Sequence, residues 1–231
     1  MQKRYRFKQV HNFRDLGGYP LADGSQTKWN VIFRSDDMGL LRPEEVMYLE
    51  QRGLQTVIDL RHQEELAQSP NPFAVHETIA YHNHSVSNLD LNPNPSLKLG
   101  DMYVMMMDDH GFIRNVFNTI AESEGPVVFH CSAGKDRTGI IAATLLGLMG
   151  VEHRDIINDY QQSYINIKDR FQTLDPELNQ RYMNLMKSEP EAIEQFLHAI
   201  HDRYGSFVSY LSTVGVDVTV QDQIVKKFTS K

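Results

Sequence analysis

One cysteine, Cys131, and one tryptophan, Trp29, occur in 231 residues. A single thiol cannot close a disulfide within the chain, and a reducing compartment is its natural setting. Basic residues are also scarce. Lys and Arg number 23 against 30 Asp and Glu, for a formal net charge of -7. That speaks against the broad basic footprint of a nucleic-acid binder, but not against an anionic group held in a local cationic pocket. Apolar runs are short. The longest, Ile140 to Val151, falls well below the ~20 residues that cross a bilayer as a helix. The basic start, MQKRYRFKQVHNF, has no apolar stretch behind it of the kind a secretory leader carries. The expectations are a cytoplasmic location, no nucleic-acid partner and no integral membrane association. Repeats and low-complexity blocks are missing too, and no linker divides the chain, so a single domain over 1–231 is expected.

What is present is a folding composition, with 41% hydrophobic residues. Val31-Ile32-Phe33, Leu54 to Leu60 and Val127-Val128-Phe129 read as short strands. The last is apolar on both faces, as central parallel strands are. Pro43, with Glu44 and Glu45 behind it and Gly53 beyond, marks a helix. Helical spacing runs from Met102 to Ala121 and from Asp155 to Ile167. It is also found around Ile193, Phe196, Leu197 and Ile200, with Gly205 as the stop. Asp175-Pro176-Glu177 opens another helix. Ser206 to Leu211 and Thr219 to Phe228 are shorter helical segments. Thr138 to Met149 is apolar nearly all round and should be buried. Strands joined through helices predict an α/β fold: a central, mostly parallel sheet flanked by helices, with a helical C-terminal half. Residues 85–101 form a long Asn/Pro-rich connection.

The chemistry concentrates in His130-Cys131-Ser132-Ala133-Gly134-Lys135-Asp136-Arg137-Thr138-Gly139. A strand delivers the thiol to the carboxyl end of the sheet, where ligands of such folds bind. Small residues follow, and then a helix begins. Its free N–H groups and positive dipole end face the same point. The result is a nest of donors shaped for a tetrahedral dianion. Arg137 can clamp two phosphate oxygens at once, which a lysine cannot do. The same positive field favours the thiolate form of a cysteine. This is not an ATP-binding loop, because Asp136 rather than Ser or Thr follows Lys135.

This decapeptide resembles the signature loop of cysteine-dependent protein tyrosine phosphatases. Its Gly-Lys-Asp-Arg-Thr-Gly ending is similar to the bacterial, atypical branch that acts on phosphotyrosine, phosphoserine and phosphoinositides. Asn12-Phe13-Arg14-Asp15-Leu16-Gly17-Gly18-Tyr19, Phe33-Arg34-Ser35, Val57-Ile58-Asp59-Leu60-Arg61, Asp155 to Tyr160 and Tyr204-Gly205-Ser206 extend the likeness along the chain. The resemblance implies a tyrosine-phosphatase-like fold and a phosphocysteine mechanism without metal or other cofactor. Cys131 would be the nucleophile and Arg137 the phosphate clamp. Ser132, Ala133, Gly134 and Lys135 would line the pocket, with Lys135 adding charge for a second phosphate. Thr138 or Ser132 would hydrogen-bond the departing sulfur. Arg14, Asp59 and Arg61 are expected beside the substrate, although Asp59 could instead pair with Arg61 or Arg14.

The wider family takes its general acid from a Trp-Pro-Asp segment, and none occurs here. Asp59, Asp101, Asp108, Asp109 and Asp136 are the candidates, and proximity favours Asp136. The implied substrate is a phosphorylated protein or a phosphoinositide. Two alternatives stand beside it: a rhodanese-like sulfurtransferase and a non-catalytic phosphate-binding module. His82 and His84 share a face of an extended segment, but no third ligand completes a metal site.

Overall fold

The computed structural model describes residues 1–87, 97–171 and 187–230. The helix start expected at Asp175-Pro176-Glu177 lies outside the described residues, as do residues 88–96 of the long connection. Five strands form the main sheet in the order β1-β3-β6-β4-β5. They are β1 (Arg14–Asp15), β3 (Ile32–Ser35), β6 (Val127–His130), β4 (Thr56–Asp59) and β5 (Ala80–Asn83). β3, β6, β4 and β5 are parallel, and only β1 at the edge runs against its neighbour. The α/β expectation therefore holds, and β6 is the central strand. Its last residue, His130, stands in register with Ser35 of β3 and Asp59 of β4.

Side chains of the central strands alternate between two apolar layers, as the two-residue strand period requires. Ile32, Ile58, Val127 and Phe129 enter the larger cluster, with Cys131 and the helices α3 (Leu99–Met107), α4 (His110–Glu122) and α5 (Arg137–Leu148). Phe33, Val57 and Val128 enter the smaller one, beneath α1 (Pro43–Gln51) and the N-terminal residues Tyr5, Val10 and Phe13. A short helix, α2 (Gln63–Gln68), follows β4. Helix α5 is covered on all sides, with Ile140, Ile141, Leu145 and Leu146 at 0% exposure, which explains its apolar circumference. The C-terminal half adds α6 (His153–Ile167), α7 (Pro190–Tyr204), α8 (Phe207–Thr213) and α9 (Val218–Phe228). Gly205, at φ 77°, ends α7 as expected. A small second sheet pairs β2 (Gln26–Thr27) with β7 (Thr229–Ser230) and ties the end of the chain to its first turn.

One expectation needs correction. Met102 to Ala121 is not one helix but parts of α3 and α4, broken at Asp108 and Asp109. The apolar spacing continues across the break, but Asp109 accepts a hydrogen bond from the Phe112 amide at 3.0 Å and starts a new helix. No helix among the described residues is long and apolar enough to cross a membrane.

Candidate active site

Cys131 follows β6 directly and is 2% exposed, at the base of a turn that leads into α5. The turn's two faces differ in their hydrogen bonding. Its carbonyl oxygens are taken. Ser132 O accepts from the Asp37 amide at 3.2 Å. Ala133 O and Gly134 O accept from Asn12 Nδ2 at 3.1 and 3.0 Å, and Gly134 O also accepts from Arg34 Nη2 at 2.7 Å. The amides of Ser132, Ala133, Gly134, Asp136 and Arg137 donate to no acceptor among the described residues. The first amide of α5 to close a helical bond belongs to Ile140, onto Asp136 O at 3.0 Å. A row of free donors in a largely buried turn is rare unless a ligand answers them. With the carbonyls clasped from outside, the amides are left for an anion.

Gly134 makes the turn possible. Its φ is +65°, and a Cβ there would stand 2.4 Å from Ser35 O. Both the left-handed backbone and the contact with β3 require glycine.

The clasps on the carbonyl side are themselves held by buried charge. Asn12 can donate to the turn because its Oδ1 accepts from Arg14 Nη1 at 2.5 Å and Asn166 Nδ2 at 3.1 Å. Arg14 Nε meets Asp159 Oδ1 at 2.9 Å, and Arg34 Nη1 meets Asp159 Oδ2 at 2.5 Å. Burial works against ionisation of Asp159, but the two guanidiniums outweigh it and hold its carboxyl below the ordinary range. On the other side, Asp37 Oδ1 accepts from Arg61 Nη1 at 2.6 Å, and Arg61 Nη2 is paired with Asp59 at 2.7 Å. Asp59 Oδ2 also lies 3.2 Å from His130 Nε2 and accepts from Asn71 Nδ2 at 3.0 Å and Tyr81 Oη at 3.1 Å. Burial would raise that carboxyl, yet His130 and Arg61 pull it well below the usual carboxylate range.

These contacts correct the expectation that Arg14, Asp59 and Arg61 lie beside the substrate. Their exposures are 2%, 0% and 0%. They grip the scaffold behind the turn and spend their donors and acceptors there. The alternative pairing of Asp59 with Arg61 is the one observed.

Arg137 opens α5 and is held by a residue that sequence reasoning missed. Its Nη1 and Nη2 donate to Glu65 Oε2 and Oε1 at 2.6 and 2.8 Å, a parallel two-bond pair. The Ser132 hydroxyl also donates to Glu65 Oε1. Burial pushes the Glu65 carboxyl up, but the bonds from Arg137 and Ser132 outweigh it and bring it down to about 2. Glu65 stands at the third position of α2 and accepts from the His62 amide at 2.9 Å. That reciprocal cap was its only signal in the sequence. The Thr138 hydroxyl, 0% exposed, finds no partner among the described residues. Ser132 is committed to Glu65, so of these two hydroxyls only that of Thr138 is without a partner among the described residues.

Lys135 differs from expectation. It is 1% exposed, and its Nζ lies 3.2 Å from Lys187 O and 3.3 Å from Asp136 Oδ1. Both contacts turn the ammonium toward the interior. Of the acid candidates, Asp59 is sealed. Asp108 pairs with Arg203 at 2.6 Å, Asp101 accepts from Gln195 at 2.7 Å, and Asp109 caps α4. Only Asp136 lies in the turn itself, with its side chain 28% exposed. His82 and His84 stack with ring centroids 6.0 Å apart, and His84 Nε2 lies 2.9 Å from Thr119 Oγ1.

The model of the tyrosine phosphatase family matches residues 5–230. A tyrosine-protein phosphatase of Nostoc commune is 31% identical over 209 residues, covering 81% of this chain and 70% of that one. A triple specificity protein phosphatase of Mycobacterium tuberculosis is 26% identical over 115 residues, or 42% of each chain. Among solved structures, the core catalytic domain of the PP-IP phosphatase SIW14 from S. cerevisiae is 16% identical with a TM-score of 0.40, covering 86% of this chain and 96% of that one. The chain belongs to the tyrosine phosphatase family of hydrolases.

Proposed function

We propose that the enzyme hydrolyses phosphate monoesters through a phosphocysteine, with phosphotyrosine in proteins as its main substrate. The row of unanswered amides around Cys131, closed by Arg137, is the observation that carries this reading. The phosphoryl oxygens would take those N–H groups and the guanidinium, which neutralise charge in the transition state without a metal. The Cys131 thiolate attacks phosphorus in line, and the leaving oxygen takes a proton from Asp136. Water then displaces the sulfur, and Asp136 recovers the proton. Thr138 stabilises the sulfur as it leaves. Glu65 keeps the Arg137 fork planar to the incoming phosphate.

Membership of the family speaks against sulfur transfer, and an intact nucleophile has no use in a module that only binds. The inward turn of Lys135 weakens the case for a second phosphate, and so for phosphoinositides. A thiolate nucleophile is best preserved in a reducing compartment, which supports a cytoplasmic enzyme.

A substrate panel tests the proposal. Phosphotyrosine, phosphoserine and phosphothreonine peptides and phosphoinositides are compared, with Cys131→Ser as control. The expected result is highest kcat/KM on phosphotyrosine and loss of all turnover in the control. A phosphoinositide preference would overturn the substrate assignment, and full turnover by Cys131→Ser would overturn the mechanism.

A further inference from the structure

Asp136 occupies the N-cap position of α5 but does not cap it. Its carboxylate makes no bond to the helix. Instead Oδ1 accepts from the Tyr103 hydroxyl at 2.6 Å, and the same oxygen lies 3.3 Å from Lys135 Nζ. Tyr103 has one hydroxyl proton and gives it to Asp136, so the 2.7 Å contact between Tyr103 Oη and Tyr160 Oη has Tyr160 as donor. The two rings meet edge to face, with centroids 5.9 Å apart at 84°. A directed chain thus runs from Tyr160 through Tyr103 to a single oxygen of Asp136. Burial, and then the charge of Asp136, push the Tyr103 hydroxyl well above the ordinary tyrosine range. It stays a donor throughout turnover.

We infer that Tyr103, backed by Tyr160, is a positioning residue that fixes Asp136 so that its other oxygen, Oδ2, carries the catalytic proton. The inference rests on the reading of Asp136 as the general acid. Oδ1 accepts from Tyr103 and is ion-paired with Lys135, whereas Oδ2 has no partner among the described residues. A protonated carboxyl placed this way has its carbonyl oxygen on Tyr103 and Lys135 and its O–H free. After the proton leaves, Oδ1 keeps the same partners, so neither state requires the carboxyl to turn. In the first half-reaction the S–P bond forms, the P–O bond to the leaving group breaks, and the Oδ2 proton passes to that oxygen. In the second, Oδ2 takes a proton from the attacking water while the S–P bond breaks and the thiolate is restored. This also gives Lys135 a place, on the acid rather than on a second phosphate.

The test compares kcat/KM for phenyl phosphate, which has a poor leaving group, with that for para-nitrophenyl phosphate, which has a good one. The proteins are wild type, Asp136→Asn, Tyr103→Phe, Tyr160→Phe and the Asp136→Asn/Tyr103→Phe double variant, with melting temperature as the folding control. Asp136→Asn should lose about 100-fold more on phenyl phosphate than on the activated ester. Tyr103→Phe should show the same selective loss at about 3- to 10-fold, as for one hydrogen bond. Tyr160→Phe should follow with a smaller one. The double variant should be no worse than Asp136→Asn, since the tyrosine acts only through the acid. If Asp136→Asn keeps its selective loss while Tyr103→Phe falls equally on both esters, or on neither, the positioning role is overturned and the acid stands. If Asp136→Asn shows no selectivity, the acid assignment itself falls.

Discussion

The amide face and the carbonyl face of residues 132–137 are built on opposite principles. On the carbonyl face, each oxygen from Ser132 to Gly134 has a named donor, and each donor is anchored in turn by a buried ion pair. On the amide face, the amides of Ser132, Ala133, Gly134, Asp136 and Arg137 have no protein acceptor among the described residues. The contrast shows where the fold's stability is spent. Leaving donors unanswered in a buried turn costs free energy, and the charged scaffold behind it fixes the turn's shape. The proposed phosphate site is the face that the fold leaves unfinished.

The largest effect should come from the amide face. Cys131→Ser removes the proposed nucleophile and should lower kcat by about 10⁴-fold or more. The fold should be untouched, with an unchanged melting temperature. A residual rate within tenfold of wild type would mean that the open face does something other than accept phosphate onto sulfur.

Next comes the deepest anchor of the carbonyl face. Asp159→Asn leaves Arg14 and Arg34 buried without a compensating charge. Breaking a buried pair of this kind costs about 3–5 kcal/mol, which denaturant unfolding would read directly. Because Arg14 and Arg34 orient the donors to the turn, phosphate affinity should fall too. A stable variant with normal affinity would separate the two faces and contradict the account.

Gly134→Ala tests the hinge between them. The left-handed backbone costs about 1–2 kcal/mol for a residue with a Cβ, and the overlap with Ser35 O adds to it. Unfolding and phosphate binding should weaken together. Gly134→Ala binding phosphate as tightly as wild type would show that the contact with β3 does not set the turn.

The effect sharpest in pH belongs to Glu65. Its carboxyl is held at about 2 against an ordinary 4.5. A carboxyl depressed by folding contributes stability that is complete above its unfolded value and is lost as pH falls through its folded one. Glu65→Gln should therefore cost about 1–3 kcal/mol at pH 7. Denaturation at a series of pH values should show the gap between the two proteins closing from about pH 4.5 towards pH 2. A gap that does not change with pH would assign the loss to packing rather than to the pair with Arg137.

The same contrast explains what could be read from the sequence. The amide face was legible because it is local. Strand, turn and buried helix are contiguous, and Cys131 and Arg137 announce their chemistry by type and spacing. The carbonyl face was visible only as scattered likenesses around Asn12, Arg34, Asp59 and Asp159. Nothing in their spacing says that Asn12 reaches Ala133, or that Asp159 bridges Arg14 and Arg34, until β1, β3 and α6 meet in space. That is why Arg14 and Arg61 are expected beside the substrate: a cation near a phosphate site reads as a ligand until its carboxylate partner, Asp159 or Asp59, is seen. Glu65 escaped notice because α2 is short and carries no apolar period. Tyr103 escaped because its helix ends at Asp108, where the apolar spacing runs on into α4.

The most direct test of the central claim is the rate at which iodoacetate, itself an anion, alkylates Cys131 with and without inorganic phosphate. A sulfur at the base of an amide cup predicts alkylation by this anion faster than that of free cysteine, and suppressed by phosphate. A rate no faster than that of free cysteine, and indifferent to phosphate, would contradict the account.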